Sequence, residues 1–402
     1  MQETTKYAVG LDIGTSSVRC LIASQDATRG ALSIVGVGEA KSKGVRKGQI
    51  VDSNSVIDAI DLAVNNAEQN CGFRINTLAV GINGSHIVSI KSDGMIALAS
   101  QNHEIDQEDL DRLADNSITG RVPVNQEVLE VVPHEYRLDG QTGLRDVKGL
   151  TGNRLDANFT VVTGLNSYIN RLKDTLSQID IKTSKIMPNA VAAAKAVLTS
   201  SQVDNGVALV DIGESTTSVA VYEEDDLRYT GVVELGGRHI TNDLAMGLHV
   251  EPEVAEAIKL KYIDVSEHNE KGDIIFKFEG NDYQFNLDEA NNIVAIRLEE
   301  IFEQVQKILK KAGYAGNLPS GVVLVGGVAN TKGITEIAKQ ELNVVAKVAM
   351  PSNLGGLGDQ IEDPKYATVV GLMMVSAEAP DALAEDFSDK PGLFSKLFKR
   401  FK

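Results

Sequence analysis

The 402-residue chain is poor in the residues that build metal centres, with two cysteines and six histidines. Cys20 and Cys71 lie 51 positions apart with no ligand spacing around either, and the histidines are scattered. Both types are expected in the core or on the surface, without special chemistry. Basic residues are also scarce, 39 Lys and Arg against 56 Asp and Glu, for a net charge of −17. That balance argues against nonspecific nucleic-acid binding, which needs cationic surface against the phosphates. Long apolar runs are missing too: no stretch approaches the roughly 18 residues that suggest a membrane-spanning helix. The opening MQETTKYAVG lacks the charged-then-apolar pattern of a secretory leader. A soluble cytoplasmic protein is the expectation. The composition, 43% hydrophobic and 24% charged without low-complexity runs, supplies a substantial core for two or more domains.

One segment departs from the acidic body. Residues 391–402, PGLFSKLFKRFK, contain four basic side chains and no carboxylate, so the other residues sum to −17 − 4 = −21. Wound as a helix at about 100° per residue, Leu393, Phe394, Leu397, Phe398 and Phe401 share one face, and Lys396, Lys399, Arg400 and Lys402 share the other. Such a helix reaches only about 16 Å, too short to cross a hydrocarbon core of about 30 Å, but it can lie in an interface. Packing on the protein's own core is the ordinary fate of an amphipathic stripe. A purely cationic polar face, and an acidic stretch at 377–390 that reads as a flexible linker, favour an anionic membrane surface instead.

Two segments resemble each other, GLDIGTSSVRCLIAS at Gly10 to Ser24 and LVDIGESTTSVAVYE at Leu209 to Glu223. Each reads as strand, Asp-Ile-Gly, small hydroxyl residues, strand. Glycine lets backbone N–H groups approach phosphate oxygens, hydroxyls add donors, and Asp12 and Asp211 at the strand ends can hold a hydrated Mg²⁺. The matched pair implies a duplicated fold with a nucleotide clamp. A third glycine site, GVVLVGGVANTKGI at Gly321 to Ile334, breaks a strand at Gly326 and Gly327, where flat backbone can seat a purine. It is not the dinucleotide fingerprint, because no third glycine opens the helix at the required spacing.

With these turns in this order the chain resembles the actin superfamily of ATPases, residues 12–18 and 211–219 matching its phosphate loops and 322–334 its adenosine loop. NAVAAAKAVL at Asn189 and DPKYATVVGLMMVS at Asp363 resemble the two helices that connect its domains. The runs VVPHEYRLDG and VKGLTGNRL are similar to the inserted subdomain of one branch, the FtsA family of bacterial cell-division actins.

The resemblance implies an α/β fold of duplicated, ribonuclease H-like ATPase domains around a cleft. Its parts are a first-half base at 1–83 and 164–199, an FtsA-type insert at 84–163, a second-half base at 200–240 and 308–376, an upper subdomain at 241–307, the linker and the membrane helix. It implies ATP and Mg²⁺ as cofactors. Asp12, Gly14, Thr15, Ser16 and Ser17 form one phosphate loop, with Asp211, Gly213, Ser215 and Thr216 in the other. Gly236, Gly237, Glu256, Lys259, Gly326, Gly327, Val328 and Asn330 take the adenosine side, with Asp12 and Asp211 at the metal. It further implies filaments of the chain with itself, capture of the C-terminal tail of the tubulin-like FtsZ, contacts with other division proteins, and a peripheral place on the cytoplasmic face of the cell membrane at the division site. LDEANNIVAIRLEEIFEQVQKILKKAG has helical spacing, with Ile293, Ile296, Ile301, Val305 and Ile308 on or near one stripe; Arg297 on this helix is the candidate FtsZ contact, or a solvated arginine.

The second phosphate loop departs from the superfamily pattern, with Glu214 and Ser215 in place of glycines and Ser218 in place of an aspartate. A carboxylate beside phosphates repels them unless a cation bridges it, so Glu214 either weakens nucleotide use or recruits the metal. The first loop has no lysine, which leaves Arg19 as the nearest cation. Asn189 falls near the position that orients the attacking water, and an amide cannot take a proton, so slow turnover is expected, with ATP acting mainly as a conformational ligand. Two other readings stay open. A soluble actin-fold kinase needs a catalytic Asp in a substrate pocket. A pilus-type actin-like adaptor binds a membrane partner's peptide and does not need the basic tip.

Overall fold

The computed structural model describes residues 6–25, 30–72, 74–99, 103–267 and 272–378. The basic tip, and all of the linker beyond Glu378, lie outside the described residues. The chain begins with an antiparallel meander of β1 (Lys6–Ile13), β2 (Ser17–Gln25) and β3 (Leu32–Lys41), in which Asp12 pairs with Arg19 and Arg19 with Glu39. A small ribbon of β4 (Val45–Arg46) and β5 (Gln49–Ile50) leads to α1 (Ser53–Cys71), whose first N–H groups are capped by the Asp52 carboxylate. β6 (Thr77–Ile82) then runs parallel to β1.

An independent antiparallel sheet follows, made of β7 (Val88–Ala97), β8 (Gln126–Leu138), β9 (Gln141–Leu144) and β10 (Arg154–Leu165) in the order β7-β10-β8-β9, with α2 (Gln107–Ile118) packed on it. Leu113, Leu155, Phe159 and Val161 belong to its own apolar core. The chain re-enters the first sheet through α3 (Asn166–Ser177) and β11 (Lys182–Pro188), then leaves along α4 (Asn189–Val197).

The second half repeats the first. After α5 (Ser200–Asn205), the meander β12 (Val207–Ile212), β13 (Thr217–Glu223) and β14 (Asp226–Val233) is followed by α6 (Gly237–Gly247), α7 (Pro252–Lys261), the ribbon β15 (Asp273–Phe278) and β16 (Asn281–Asn286), and α8 (Leu287–Ala312). Then come β17 (Val322–Val325), α9 (Ile334–Leu342), β18 (Ala346–Val348), β19 (Gly355–Gly356) and α10 (Ala367–Glu378). The sheet order β14-β13-β12-β17-β18 reproduces β3-β2-β1-β6-β11, with three antiparallel strands followed by two parallel ones in each. This is the duplicated α/β architecture that the paired Asp-Ile-Gly segments led one to expect.

Strand alternation distributes the core. On β12, Leu209 joins the apolar cluster that contains α4 and Leu372 of α10, while Ala208 and Val210 face the cluster built by α8 and α9. The connecting helices α4 and α10 touch backbone to backbone: a Cβ on Gly371 would lie 1.7 Å from the Ala192 carbonyl oxygen. Only glycine fits there. The helical stripe expected on α8 is corrected, because Ile296 is 56% exposed, and Ile293 and Ile308 are only half-buried. Ile301 and Val305 face the core as expected, and Ala290, Val294, Leu298 and Leu309 complete the buried stripe in place of the other three, a better fit to 3.6 residues per turn.

The inserted sheet leans on the second half. The Ser89 hydroxyl donates to the Thr230 carbonyl at 2.9 Å and accepts from the Thr230 N–H at 2.7 Å. Arg145 pairs with Glu224 at 3.1 Å and Asp226 at 3.5 Å. A cavity of about 360 Å³ lies at this seam, lined by Lys91, His134, Arg228 and Tyr314 among others. Its lining carries neither glycine turns nor a paired-carboxylate centre.

Candidate nucleotide cleft

The two hairpin turns have the same geometry. The Gly14 N–H donates to Ser17 O at 3.0 Å, and the Gly213 N–H donates to Thr216 O at 2.9 Å. Folding brings their tips together: the hydroxyls of Thr15 and Ser215 are 2.7 Å apart. Asn83, which carried no signal in the sequence, stitches the same place. Its amide donates to the Thr216 hydroxyl at 3.2 Å, and its Oδ1 accepts from Ser218 at 2.9 Å. Glu234 closes the mouth by accepting from Ser85 at 2.6 Å and pairing with Lys47 at 2.7 Å. The halves therefore meet directly, and the space between the loops is narrow.

Behind the loops sit the two aspartates. Asp12 is 6% exposed, accepts from the Asn189 amide at 3.1 Å and lies 4.0 Å from Arg19. Burial pushes its carboxyl up from the ordinary range, against the pull of Arg19. Asp211 accepts from the Thr368 hydroxyl of α10 at 3.2 Å, and burial together with the charge of Asp12 pushes it up to about 6. Two such carboxylates favour a divalent cation between or beside them. Asn189 Oδ1 and the Ser17 hydroxyl are buried with no hydrogen-bond partner among the described residues, two polar atoms that a ligand or its water could take up.

Glu214 does not stand free beside the loop, because its carboxylate is held by the Arg238 guanidinium, with the Nε donating at 2.8 Å. The turn into α6 packs on the second loop, with the Gly237 N–H donating to Gly213 O at 2.9 Å. A Cβ on Gly236 would come within 2.5 Å of that same oxygen. On α7, Lys259 donates to Glu256 at 2.6 Å, to the Thr241 hydroxyl at 2.8 Å and to Gly237 O at 3.3 Å. Gly326 turns the chain at φ 87°, and any Cβ there would meet Asp211 Oδ1 at 2.5 Å. Gly327 opens to free space, Val328 packs on Gly237, and the Asn330 amide donates to Asp363 at 3.0 Å. Of the sequence candidates, direct contacts join the two loops at Thr15 and Ser215, the Gly236–Gly237 turn and Lys259 to the second loop's side, and Gly326 to Asp211. Arg297 does not belong to this set, being engaged on α8 by Asp243, with Nη2 donating at 3.1 Å, and by Glu300.

Among the described residues one acid–histidine group was not legible in the sequence, that of His103, Asp106 and Asp109. These side chains satisfy each other and Arg112 as the N-terminal box of α2.

The residues here fit a magnesium nucleotide: a paired-carboxylate centre, hydroxyl and glycine turns for phosphates, and a lysine–glutamate pair beside the Gly237 turn. The chain matches a family model described as Cell division protein FtsA over residues 208–371, and one described as SHS2 domain inserted in FTSA over residues 84–163. It is 33% identical over 376 residues to the Cell division protein FtsA of Pseudomonas aeruginosa, covering 92% of this chain and 89% of that protein. The chain belongs to the FtsA family. The FtsA of Bacillus subtilis is 34% identical over 369 residues, covering 91% of this chain and 82% of that protein. The fold is shared with solved structures too distant to speak for more than architecture. A chain of the PilM–PilN type IV pilus biogenesis complex has a TM-score of 0.65 at 14% identity, covering 92% of this chain and 98% of that one. MreB5 of Spiroplasma citri bound to AMPPNP has 0.54 at 13%, covering 92% and 95%. The MamK double helical filament has 0.53 at 13%, covering 93% and 99%. The chain is thus an FtsA-family cell division protein with an actin-like fold.

Proposed function

We propose that the chain binds ATP with Mg²⁺ in this cleft, assembles with copies of itself, and tethers FtsZ to the cytoplasmic face of the cell membrane at the division site. The observation that carries the nucleotide reading is the meeting of the two matched loops at Thr15 and Ser215, with Asp12 and Asp211 behind them. Asp12 and Asp211 hold the metal through its waters; Gly14 to Ser17 and Gly213 to Thr216 take the phosphates. Glu256 and Lys259 take the ribose side, and the base rests on Gly326 to Val328, with Asn330 and Gly236 to Gly237 at its edges. The metal supplies charge neutralisation at the phosphates.

The chain's own residues offer weak catalysis. Asn189 positions a water without accepting its proton, and Glu214, engaged by Arg238, is not poised as a base. ATP therefore serves mainly to set the relation between the halves. The proposed parts follow the boundaries at 83, 163, 199, 240, 307, 376 and 390; the match at 84–163 and the separate core of that sheet support the insert. Arg297, with Met246 and Ile296 exposed on the same helix pair, is the proposed place for the FtsZ tail.

The tip at Leu393, Phe394, Lys396, Leu397, Phe398, Lys399, Arg400, Phe401 and Lys402 is the proposed membrane foot. Each basic residue contributes about 1 kcal/mol at an anionic surface, so one tip binds reversibly, and a filament of tips binds tightly. The test is co-sedimentation with anionic vesicles, ATP and Mg²⁺, comparing the full chain with one ending at Asp389. Pelleting of the full chain alone, enhanced by ATP, is expected. Equal behaviour of the two chains overturns the tether.

A further inference from the structure

The sheet register carries a charge ladder that the nucleotide reading does not use. Asp12 on β1, Arg19 on β2 and Glu39 on β3 stand directly opposite one another on adjacent strands, alternating negative, positive, negative. The Arg19 side chain is 14% exposed. Its Nη2 lies 2.9 Å from Glu39, while its Nη1 is 4.0 Å from Asp12, so the guanidinium is drawn toward the outer carboxylate. Other groups hold it there. Its Nη1 donates to the Lys365 carbonyl at 3.4 Å, and its centre lies 5.5 Å from the centroid of the Tyr366 ring. The Tyr366 hydroxyl in turn donates to Glu39 at 3.1 Å.

We propose that Arg19 is a resident counter-charge for the metal-side aspartates, and that Glu39 and Tyr366 restrain it so that a divalent cation is still required. This rests on the nucleotide reading of the cleft. A guanidinium fully engaged with Asp12 neutralises the charge that a metal ion would neutralise, and so competes with it. One shared with Glu39 does so only in part. Arg19 is a positioning residue: it sets how much Mg²⁺ the cleft needs, without touching phosphate.

The test is a titration of free Mg²⁺ at fixed fluorescent ATP analogue, reading the concentration at half-maximal binding for the full-length chain and its variants. Glu39→Gln keeps the shape and releases the guanidinium toward Asp12, so half-saturation is expected to rise about fivefold. Arg19→Gln removes the competitor and is expected to lower it by about the same factor, with Arg19→Lys between that variant and the wild type. Unshifted curves, or shifts of both glutamine variants in one direction, overturn the inference. Should Arg19→Gln fail to fold, Glu39→Gln decides alone, an upward shift supporting the inference and an unmoved curve sinking it. Failure of the wild-type chain to bind the analogue at any Mg²⁺ concentration sinks the nucleotide reading itself, a different result from a bound but unshifted one.

Discussion

The Thr15 and Ser215 hydroxyls, 200 residues apart in sequence, are 2.7 Å apart in space, so each hairpin turn closes on the other. On the proposed nucleotide reading, a phosphate between them would exchange this contact for bonds to its own oxygens. In a double-mutant cycle of Thr15→Ala and Ser215→Ala, thermal unfolding without nucleotide is expected to give a coupling of about 1 kcal/mol. With saturating ATP and Mg²⁺ the coupling should fall to about zero. Persistence of the full coupling means the loops do not part for the ligand.

Glu234 makes a pH-dependent tie across the cleft mouth. Lys47 and then Ser85 hold its carboxyl below the usual carboxylate range. A depressed acid contributes stability above its unfolded pKa, about 4.3, and loses it as pH falls through the lower folded value. Glu234→Gln is therefore expected to lower stability at pH 7 by about 0.5 kcal/mol, given the exposure of Lys47, and to match the wild type once pH drops below the folded value. Denaturant midpoints across roughly pH 3 to 7 read this out; a deficit that persists at the acid end counts against the tie.

Arg238 keeps the Glu214 carboxylate engaged beside the second loop. Arg238→Gln leaves that charge free near the phosphates and is expected to weaken binding of the ATP analogue by about tenfold. The double variant Glu214→Gln with Arg238→Gln should recover most of the loss. If it does not, Arg238 acts on the nucleotide directly and not through Glu214.

Gly371 marks the crossing of α4 and α10, with no room for a side chain against Ala192. Gly371→Val is expected to cost about 3 kcal/mol or to abolish soluble expression, because the clash is with backbone and not with a rotatable group. Urea unfolding measures it, and a loss under about 1 kcal/mol means that the helices separate easily.

Much of the architecture was legible because its signals are local. The Asp-Ile-Gly turns, the helical spacing of α8 and the break at Gly326 and Gly327 each announce themselves within a few turns of chain. What stayed hidden depends on pairing. Arg19 could not be aimed until the register set it opposite Asp12, and Asn83 gains its part only when the second half arrives with Thr216 and Ser218. Glu214 seemed a free carboxylate because Arg238 lies 24 positions on, and Arg297 a free cation because Asp243 lies 54 positions back. The misplacing of Ile296 has another cause: isoleucine marks the apolar face less well than spacing does, and Ala290 and Leu298 define the buried stripe.

The helix α10 runs from the cleft to the place where residues 379–402 begin. Its first turn carries Thr368, bonded to Asp211; its last residue, Glu378, is ion-paired to Lys195 on α4 at 2.6 Å. Twelve residues of helix make a stiff rod of about 18 Å. Tension applied beyond Glu378 is borne by that rod and by the neighbouring helix, and it arrives at the Thr368–Asp211 contact. The end of α10 and the buried Asp211 carboxylate therefore share one mechanical line.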